Sequence, residues 1–191
     1  IGATYANGPV NLYFAVDSVN YASYFDKSGT GTPAPETNVT KDVDDSLTVA
    51  FGGSYDFSVV KVFAGAQYFD EVLVSKVSGL SNVGLDSLGK MKGYALQASA
   101  SAPLAGGTGY FGVGYVDSSE ADSVVTGKEF DLKYYVASVG YKYDLSKRTN
   151  VYGVLSYAKG EQDIATPSAN FDYSDRKPSM VGFGVGLRHN F

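Results

Sequence analysis

Strict alternation of apolar side chains with small or polar ones is the feature that most limits how this chain can fold. Successive side chains leave opposite faces of a β-strand, so a period of two indicates a strand with one apolar face. The clearest case has the apolar row Leu47, Val49, Phe51, Gly53, Tyr55 and Phe57 against Thr48, Ala50, Gly52, Ser54 and Asp56. This segment therefore predicts a strand that is apolar on one side only.

The same alternation recurs along the chain and predicts about nine strands. Similar rows occur near residues 10–17, 60–69, 93–100, 111–115, 135–144 and 181–191. Within 150–158 both rows contain apolar residues, so the sequence does not decide which row faces lipid. Most of the predicted strands have roughly 9 to 14 residues, which exceeds the 5 to 6 usual in soluble sheets and suits tilted strands that cross a membrane.

Short and long connections alternate between the predicted strands. Tight links rich in turn-forming residues are predicted at 7–9, 57–59, 105–108 and 146–149, and long polar links at about 22–45, 71–91, 117–129 and 159–177. Outer-membrane barrels have this order, with turns on the periplasmic side and loops outside. The prediction is an all-β fold, a transmembrane antiparallel β-barrel, in one domain over residues 1–191.

Composition removes several classes of function. The chain has 16 Tyr, 11 Phe and 23 Gly, which favours β-structure, and it has no Cys, which excludes disulfides and thiolate metal sites. Its formal charge of -5, with scattered Lys and Arg, argues against a nucleic-acid partner. No apolar run approaches the roughly 18 to 20 residues of a membrane-spanning helix. We expect no cofactor.

Three local motifs have ordinary explanations. Gly107–Gly112 has the spacing of a dinucleotide fingerprint, but it leads into an alternating strand and not into the helix that such a site needs. Asp42, Asp44 and Asp45 lack the Gly and the distal Glu of a calcium loop, so a solvated loop is expected. The sole histidine, His189, falls on an apolar row, which favours a membrane-interface position over catalysis. We expect no catalytic residue and no metal site.

Charges on the polar rows are the candidate functional residues. A charge that faces lipid at mid-membrane costs about 2 to 4 kcal/mol, whereas one that faces water costs little. The candidates for the wall of a water-filled pore are Asp17, Lys61, Lys142 and Arg188, with Lys133 if its strand keeps the alternation. Such a wall would pass small hydrophilic solutes and bias them by charge. The alternative for each residue is that it only pairs with another charge across the wall.

The C-terminal segment VGFGVGLRHNF, which closes on Phe191, resembles the terminal strand of general porins from β-proteobacteria. In that family the final aromatic residue is the signal read by the barrel-assembly machinery. The segment YKYDLSKRTNVYGVLSY (141–157) is similar to the adjacent hairpin of the family, and IGATYANGPV and FGGSYDFSVVKVFAGAQY are similar to its internal strands. The resemblance spans nearly the whole chain except its loops.

The resemblance implies a sixteen-stranded antiparallel barrel, usually a homotrimer, with a pore narrowed by its third extracellular loop. The strands here would be the eighth to the sixteenth, so that loop lies outside this sequence. An open sheet leaves unpaired edges that lipid does not tolerate, and we therefore expect the remaining N-terminal part of the barrel as a partner. Ile1 opens directly into an alternating row, so we expect a fragment or a processed product. Outer-membrane lipid and lipopolysaccharide are the other expected partners.

The predicted function is passive diffusion of ions and small solutes through an outer-membrane channel. One alternative is a small closed barrel that acts as an adhesin or surface-binding protein through its long loops. A soluble β-sandwich is a second alternative, but it would have to hide the apolar rows in its interior. An outer-membrane hydrolase is the third, and His189 would be its best catalytic residue.

Overall fold

A single antiparallel sheet contains every strand of the computed structural model, which describes residues 1–20, 45–73, 90–122, 129–165 and 177–191. Nine strands pair in chain order. They are β1 (Gly2–Asn7), β2 (Val10–Val19), β3 (Ser46–Asp56), β4 (Lys61–Leu73), β5 (Lys90–Leu104), β6 (Gly107–Asp122), β7 (Glu129–Asp144), β8 (Thr149–Ala165) and β9 (Ser179–His189). Within these ranges the sheet is open, with β1 and β9 at its edges. The predicted all-β antiparallel architecture is confirmed.

Helices able to cross a membrane are absent from the described ranges.

Cross-strand register aligns the apolar rows of all nine strands on one face. For example, Phe14 pairs with Phe51, and Phe51 pairs in turn with Ala66. This surface, the apolar face, carries Tyr5, Phe14, Phe51, Ala66, Leu96, Val113, Val139, Leu155 and Phe183, one from each strand. The opposite surface, the polar face, carries the small and polar rows. A one-residue slip in any pair would move a whole row to the wrong face, so the patterning fixes the register.

The apolar face is open and not packed against a second layer. Leu47, Phe51 and Tyr55 are 39%, 56% and 41% exposed. Among the described residues, the buried large apolar side chains are Phe69, Met91 and Leu132. A β-sandwich buries its apolar rows between two sheets, so this surface does not fit that alternative.

Four tight turns lie along one edge of the sheet, which we call the turn end. Phe57 N donates to Val60 O at 2.9 Å, and Leu145 N donates to Thr149 O at 2.9 Å. Ala105 and Gly106 both have positive φ, 46° and 80°, as a two-residue hairpin turn of type I′ requires. The tight links agree with the predicted ones. The other edge, where the long links begin, is the loop end.

Several strands run further toward the loop end than the apolar pattern predicts. β6 extends to Asp122 and β7 begins at Glu129, although the pattern predicts a loop over 117–129. β8 extends to Ala165, although a loop is predicted from 159. Backbone pairing does not require apolar side chains, so the ladder continues where the residues become charged. The middle parts of the four long links lie outside the described residues.

Strand pairing decides two points: the faces of residues 150–158 and the structure of the glycine-rich segment 107–112. In β8, Val151 pairs with Leu187 and Leu155 with Phe183, which puts Tyr152 on the polar face. The glycine-rich segment 107–112 forms the beginning of β6, as the strand interpretation predicts.

One β-bulge interrupts the ladder between β4 and β5. Phe69 pairs with Gly93 and Val72 with Met91, so two residues of β4 lie opposite a single residue of β5. One of them, Glu71, has a φ of 56°. Its Oε2 lies 2.8 Å from Lys90 Nζ, in an ion pair whose side chains are 17% and 2% exposed. Both charges are largely removed from water, so each depends on the other for stabilisation.

Candidate functional site

Four of the five predicted wall residues share the polar face. They are Asp17 in β2, Lys61 in β4, Lys142 in β7 and Arg188 in β9. The three cations lie at the turn end, because they are close to the start of β4 and the ends of β7 and β9. Asp17 lies near the loop end of β2. The fold therefore brings the cations to one side of the sheet and separates the carboxylate from them.

Lys133 lies on the apolar face, which corrects the expectation that it joins the polar wall. β7 pairs with β6 and β8 without a register shift, so its alternation is continuous. Lys133 is opposite Asp117, and Tyr135, two residues further on, is opposite Tyr115. Residues two apart in a strand share a face, so Lys133 lies with Tyr135.

The charges on the polar face are mostly unpaired within the described chain. Lys142 Nζ lies 3.4 Å from Asp144 Oδ1, two residues away on the same strand. Both side chains are partly exposed, and an exposed pair of this kind contributes about 1 kcal/mol at most. Asp17, Lys61 and Arg188 form no ion pair with any described residue. The pairing alternative thus applies to Lys142, although its partner is a neighbour in its own strand.

The uncharged contacts of the wall cations are with groups next to them in the chain. Lys61 Nζ lies 5.5 Å from the centre of the Phe63 ring. Arg188 Nε donates to Asn190 Oδ1 at 3.3 Å. Neither contact supplies a negative charge to the cation.

A concavity of about 1000 Å³ includes much of the polar face toward the turn end. Ser138, Lys142, Asn150, Tyr152 and Arg188 contribute to its lining. Hydroxyl, amide and cationic groups at an open surface can replace part of the hydration shell of a passing solute.

Tyrosine rings lie against glycines on the polar face, an arrangement that the alternation of residues did not predict. Tyr13 lies over Gly52, Tyr134 over Gly160 and Tyr152 over Gly186, and each of these pairs is directly opposite in the register. A side chain at the glycine would occupy the space of the ring. Alignment of Tyr with Gly in neighbouring strands is the signal that could have predicted it.

A row of tyrosines crosses the apolar face toward the loop end. This tyrosine row consists of Tyr68, Tyr94, Tyr115 and Tyr135, on four consecutive strands. The ring centres of Tyr94 and Tyr115 are 5.9 Å apart, and those of Tyr115 and Tyr135 are 4.8 Å apart. Rings with one apolar side and one hydroxyl are typical of the boundary between hydrocarbon and water.

Three of the four hydroxyls in the tyrosine row lie within hydrogen-bonding distance of carboxylates toward the loop end. Tyr115 donates to Asp117 Oδ2 at 2.8 Å, and Tyr94 approaches the same oxygen at 3.4 Å. Tyr68 donates to Asp70 Oδ2 at 3.2 Å. The apolar face thus becomes charged immediately beyond the tyrosine row.

His189 lies on the apolar face near the turn end. Its Nδ1 is 2.8 Å from Thr149 Oγ1, and its ring meets Phe191 edge-on with centres 4.9 Å apart. Among the described residues, this imidazole contacts a hydroxyl and an aromatic ring, and not a carboxylate that could orient a catalytic histidine. No cluster suited to a metal ion occurs among the described residues. Asp42 and Asp44 fall outside them.

Curated proteins similar to this chain are outer membrane porins. An outer membrane porin protein of Bordetella pertussis is 32% identical over 203 residues, which cover 100% of the chain and 45% of that protein. Outer membrane porin protein 32 of Delftia acidovorans is 29% identical over 148 residues, which cover 75% of the chain and 36% of that protein. No family model matches. The chain spans less than half the length of these relatives.

These relatives confirm the predicted resemblance to β-proteobacterial porins. Together with the all-β sheet, they confirm the predicted location in the outer membrane. The 45% share of the Bordetella protein agrees in size with the expected half of a barrel. The adhesin alternative receives no support, since both relatives are named as porins.

Proposed function

We propose that this chain, as a segment of an outer membrane porin, forms part of the wall of a water-filled channel for passive diffusion of ions and small hydrophilic solutes. The observation that carries the proposal is the division of one sheet into an exposed apolar face and a polar face with Asp17, Lys61, Lys142 and Arg188. Acyl chains suit the first surface, and only water suits the second, because charges in lipid are costly.

The length of the apolar stretches supports a membrane-crossing orientation. A tilted strand crosses the hydrocarbon core with about 9 to 11 residues. In β7, Tyr135 and Tyr143 bound an apolar stretch of about this length on one face, with an aromatic ring at each end. β6, β7 and β8 have 16, 16 and 17 residues, so they extend beyond the core. The long links begin on that side, which by the rule for such barrels faces the cell exterior.

The partners of the chain follow from its open edges and from the resemblance. Lipid cannot satisfy the backbone groups of β1 and β9, so the remaining N-terminal part of the barrel would pair with them and residues 1–191 would be part of one barrel domain. A homotrimer, contact with lipopolysaccharide, and recognition of Phe191 by the barrel-assembly machinery belong to the same proposal. Phe191 is fully exposed, as a recognition signal requires.

Passive diffusion needs no catalytic group and no cofactor, so we propose a channel without enzymatic activity. The relatives are named as porins, and the lone histidine has a position that suits an interface.

Conductance of the full-length protein tests the proposal. The purified porin that contains this chain is added to a planar lipid bilayer, and stepwise increases of ion current are expected as channels insert. Unfolded protein from the same preparation is the control and should give no steps. A bilayer that stays silent with folded protein would contradict the channel function.

A further inference from the structure

At the turn end of the polar face, four consecutive strands carry an aromatic ring, a cation, a second ring and a second cation. They are Tyr110 in β6, Lys142 in β7, Tyr152 in β8 and Arg188 in β9, and we call them the turn-end strip. Lys142 is directly opposite Tyr152 and is a diagonal neighbour of Tyr110. Arg188 is opposite Asn150 and is therefore a diagonal neighbour of Tyr152. Each ring thus has a cation within the reach of cross-strand side chains.

The two rings of the turn-end strip keep open faces. Tyr110 and Tyr152 are 45% and 48% exposed, and both line the concavity of the polar face. Their strands, β6 and β8, are about 10 Å apart, with β7 between them. On β7 the residue opposite Tyr110 is Gly140, which has no side chain to fill this space. A planar solute ring placed there would be about 5 to 6 Å from each tyrosine, the usual separation of aromatic pairs.

The charges of the strip suit a solute with a single negative charge. Lys142 Nζ lies 3.4 Å from Asp144 Oδ1, whereas Arg188 forms no ion pair with any described residue. Two cations and one carboxylate leave one net positive charge at this place. A single carboxylate balances that charge, but a dianion would bring a second negative charge close to Asp144. The planar guanidinium of Arg188 can also donate two parallel hydrogen bonds to a carboxylate.

Tyr13 in β2 is a polar-face ring without such charges. Like Tyr152, it lies against a glycine of the neighbouring strand, Gly52. The positions opposite and diagonal to it on β1 and β3 hold only Gly, Ala, Thr and Ser. Tyr13 therefore offers a matched control for the rings of the turn-end strip.

We propose that the turn-end strip binds aromatic monocarboxylates as they pass through the channel, an inference that rests on the proposed function. The ring of the solute lies between Tyr110 and Tyr152, and its carboxylate lies between Lys142 and Arg188. Contact between rings and a charge-assisted hydrogen bond act on the same small molecule. The strip thus favours one class of solute in a wall that passes other small ions by charge.

Chloride current through the full-length porin in a planar bilayer tests the proposal, with benzoate as the probe. A solute held at the strip obstructs chloride, so the benzoate concentration that halves the current measures its affinity. Cyclohexanecarboxylate has the same charge and nearly the same size but no aromatic ring. It should require a concentration about fivefold higher, since contact between aromatic rings adds to the affinity. Equal half-blocking concentrations for the two solutes would overturn the proposal.

Tyr110→Leu and Tyr152→Leu keep an apolar side chain and remove the ring. Each should raise the half-blocking concentration of benzoate about threefold and leave that of cyclohexanecarboxylate nearly unchanged. Tyr13→Leu makes the same change away from the strip and should leave both values unchanged. An unchanged benzoate value in both strip variants, or an equal rise in Tyr13→Leu, would overturn the proposal.

The contribution of charge is tested with Asp144→Asn and with a neutral solute. The substitution releases Lys142 from its carboxylate neighbour and should lower the half-blocking concentration of benzoate about threefold. A higher value would overturn the proposal. Benzamide, which has the ring without the charge, should block the wild type much more weakly than benzoate. Equal block by benzamide would show that the cations take no part, and it would overturn the proposal as well.

The same recordings separate the solute site from the channel itself. Absence of chloride current in the wild type would contradict the proposed function. A steady chloride current that benzoate does not block would contradict the solute site alone.

Discussion

The ring of Tyr13 in β2 lies over Gly52 in β3, with Cε1 and the hydroxyl oxygen each 2.7 Å from the place that a Cβ of residue 52 would occupy. The same hydroxyl is 2.9 Å from the corresponding place at Gly65 in β4. One ring thus covers two glycines on consecutive strands of the polar face. The ring therefore lies close to the backbone of β3 and β4 at positions where a side chain would leave no room for it.

This contact predicts that Gly52→Ala destabilises the barrel. The added methyl group would also meet the backbone oxygen of Ala64 at 2.7 Å, so the ring or the strand has to move. We expect a loss of about 1 to 3 kcal/mol, as for other overpacked sites. Urea unfolding of the full-length porin in lipid vesicles, followed by circular dichroism, measures it.

Gly182→Ala is the matched control on the same face. A Cβ at residue 182 has no atom within 4 Å, so the expected change is within about 0.5 kcal/mol. Equal destabilisation by both substitutions would show that the Tyr13 contact does not decide the outcome.

Ion selectivity is expected to depend on which face carries a charge. Lys142→Glu or Arg188→Glu reverses a charge on the polar face. When a passing ion is about 10 Å from the side chain, in water and with screening by salt, we expect such a reversal to change the anion-to-cation permeability ratio by about a factor of two, in favour of cations. The reversal potential in a KCl gradient across a planar bilayer measures the ratio.

Lys133→Glu is the control for selectivity, because it makes the same charge change on the apolar face. It should leave the reversal potential unchanged. A shift as large as that of Lys142→Glu would mean that the assignment of the two faces is wrong.

The turn between β5 and β6 predicts a stabilising substitution. Ala105 has a φ of 46°, which is strained for any residue with a Cβ. Ala105→Gly should raise the free energy of unfolding by about 0.5 to 1 kcal/mol. The substitution relieves backbone strain in the folded state, and this gain exceeds the entropy that glycine adds to the unfolded chain. In contrast, Ala98→Gly within β5 should lower it by about 0.5 to 1 kcal/mol. If Ala105→Gly also destabilised the protein, the positive φ of residue 105 would not be a source of strain that lowers its stability.

The hydroxyl of Tyr141 anchors the same turn. It lies 3.0 Å from the carbonyl oxygen of Leu104 and 2.9 Å from that of Ala105, and it donates to them. Tyr141→Phe should therefore cost about 1 kcal/mol in the same unfolding measurement. Tyr143→Phe, on the same face of β7, removes a hydroxyl without a hydrogen bond in the described chain and should have almost no effect. Similar losses for both would exclude the anchoring role.

The sequence predicted the strands well where hydrocarbon imposes a strict alternation. The rows at residues 47–57 and 181–191 have the same faces in the structure as in the pattern. The alternation is informative there because a single polar residue on the apolar face would be costly.

Prediction failed where that constraint ends. Beyond the tyrosine row both faces tolerate charges, so the continuation of β6 to Asp122 has no apolar signature. The prediction that Lys133 joins the polar face is wrong in the same region. Lys133 lies two residues before Tyr135, and residues two apart in a strand share a face, so it lies on the apolar face. The bulge at Glu71 depends on one inserted residue and an ion pair with Lys90, which neighbouring residues in the sequence do not reveal.

The odd number of strands in the described part of the chain has a directional consequence. In a sheet where each strand reverses the last, the first and the ninth run the same way, so β1 and β9 could meet only as a parallel seam. A ring in which every neighbour is antiparallel needs an even total, and an odd number of additional strands must separate these two edges. Seven more would complete the sixteen that the family resemblance implies, and both edges of this half would then receive partners of opposite polarity.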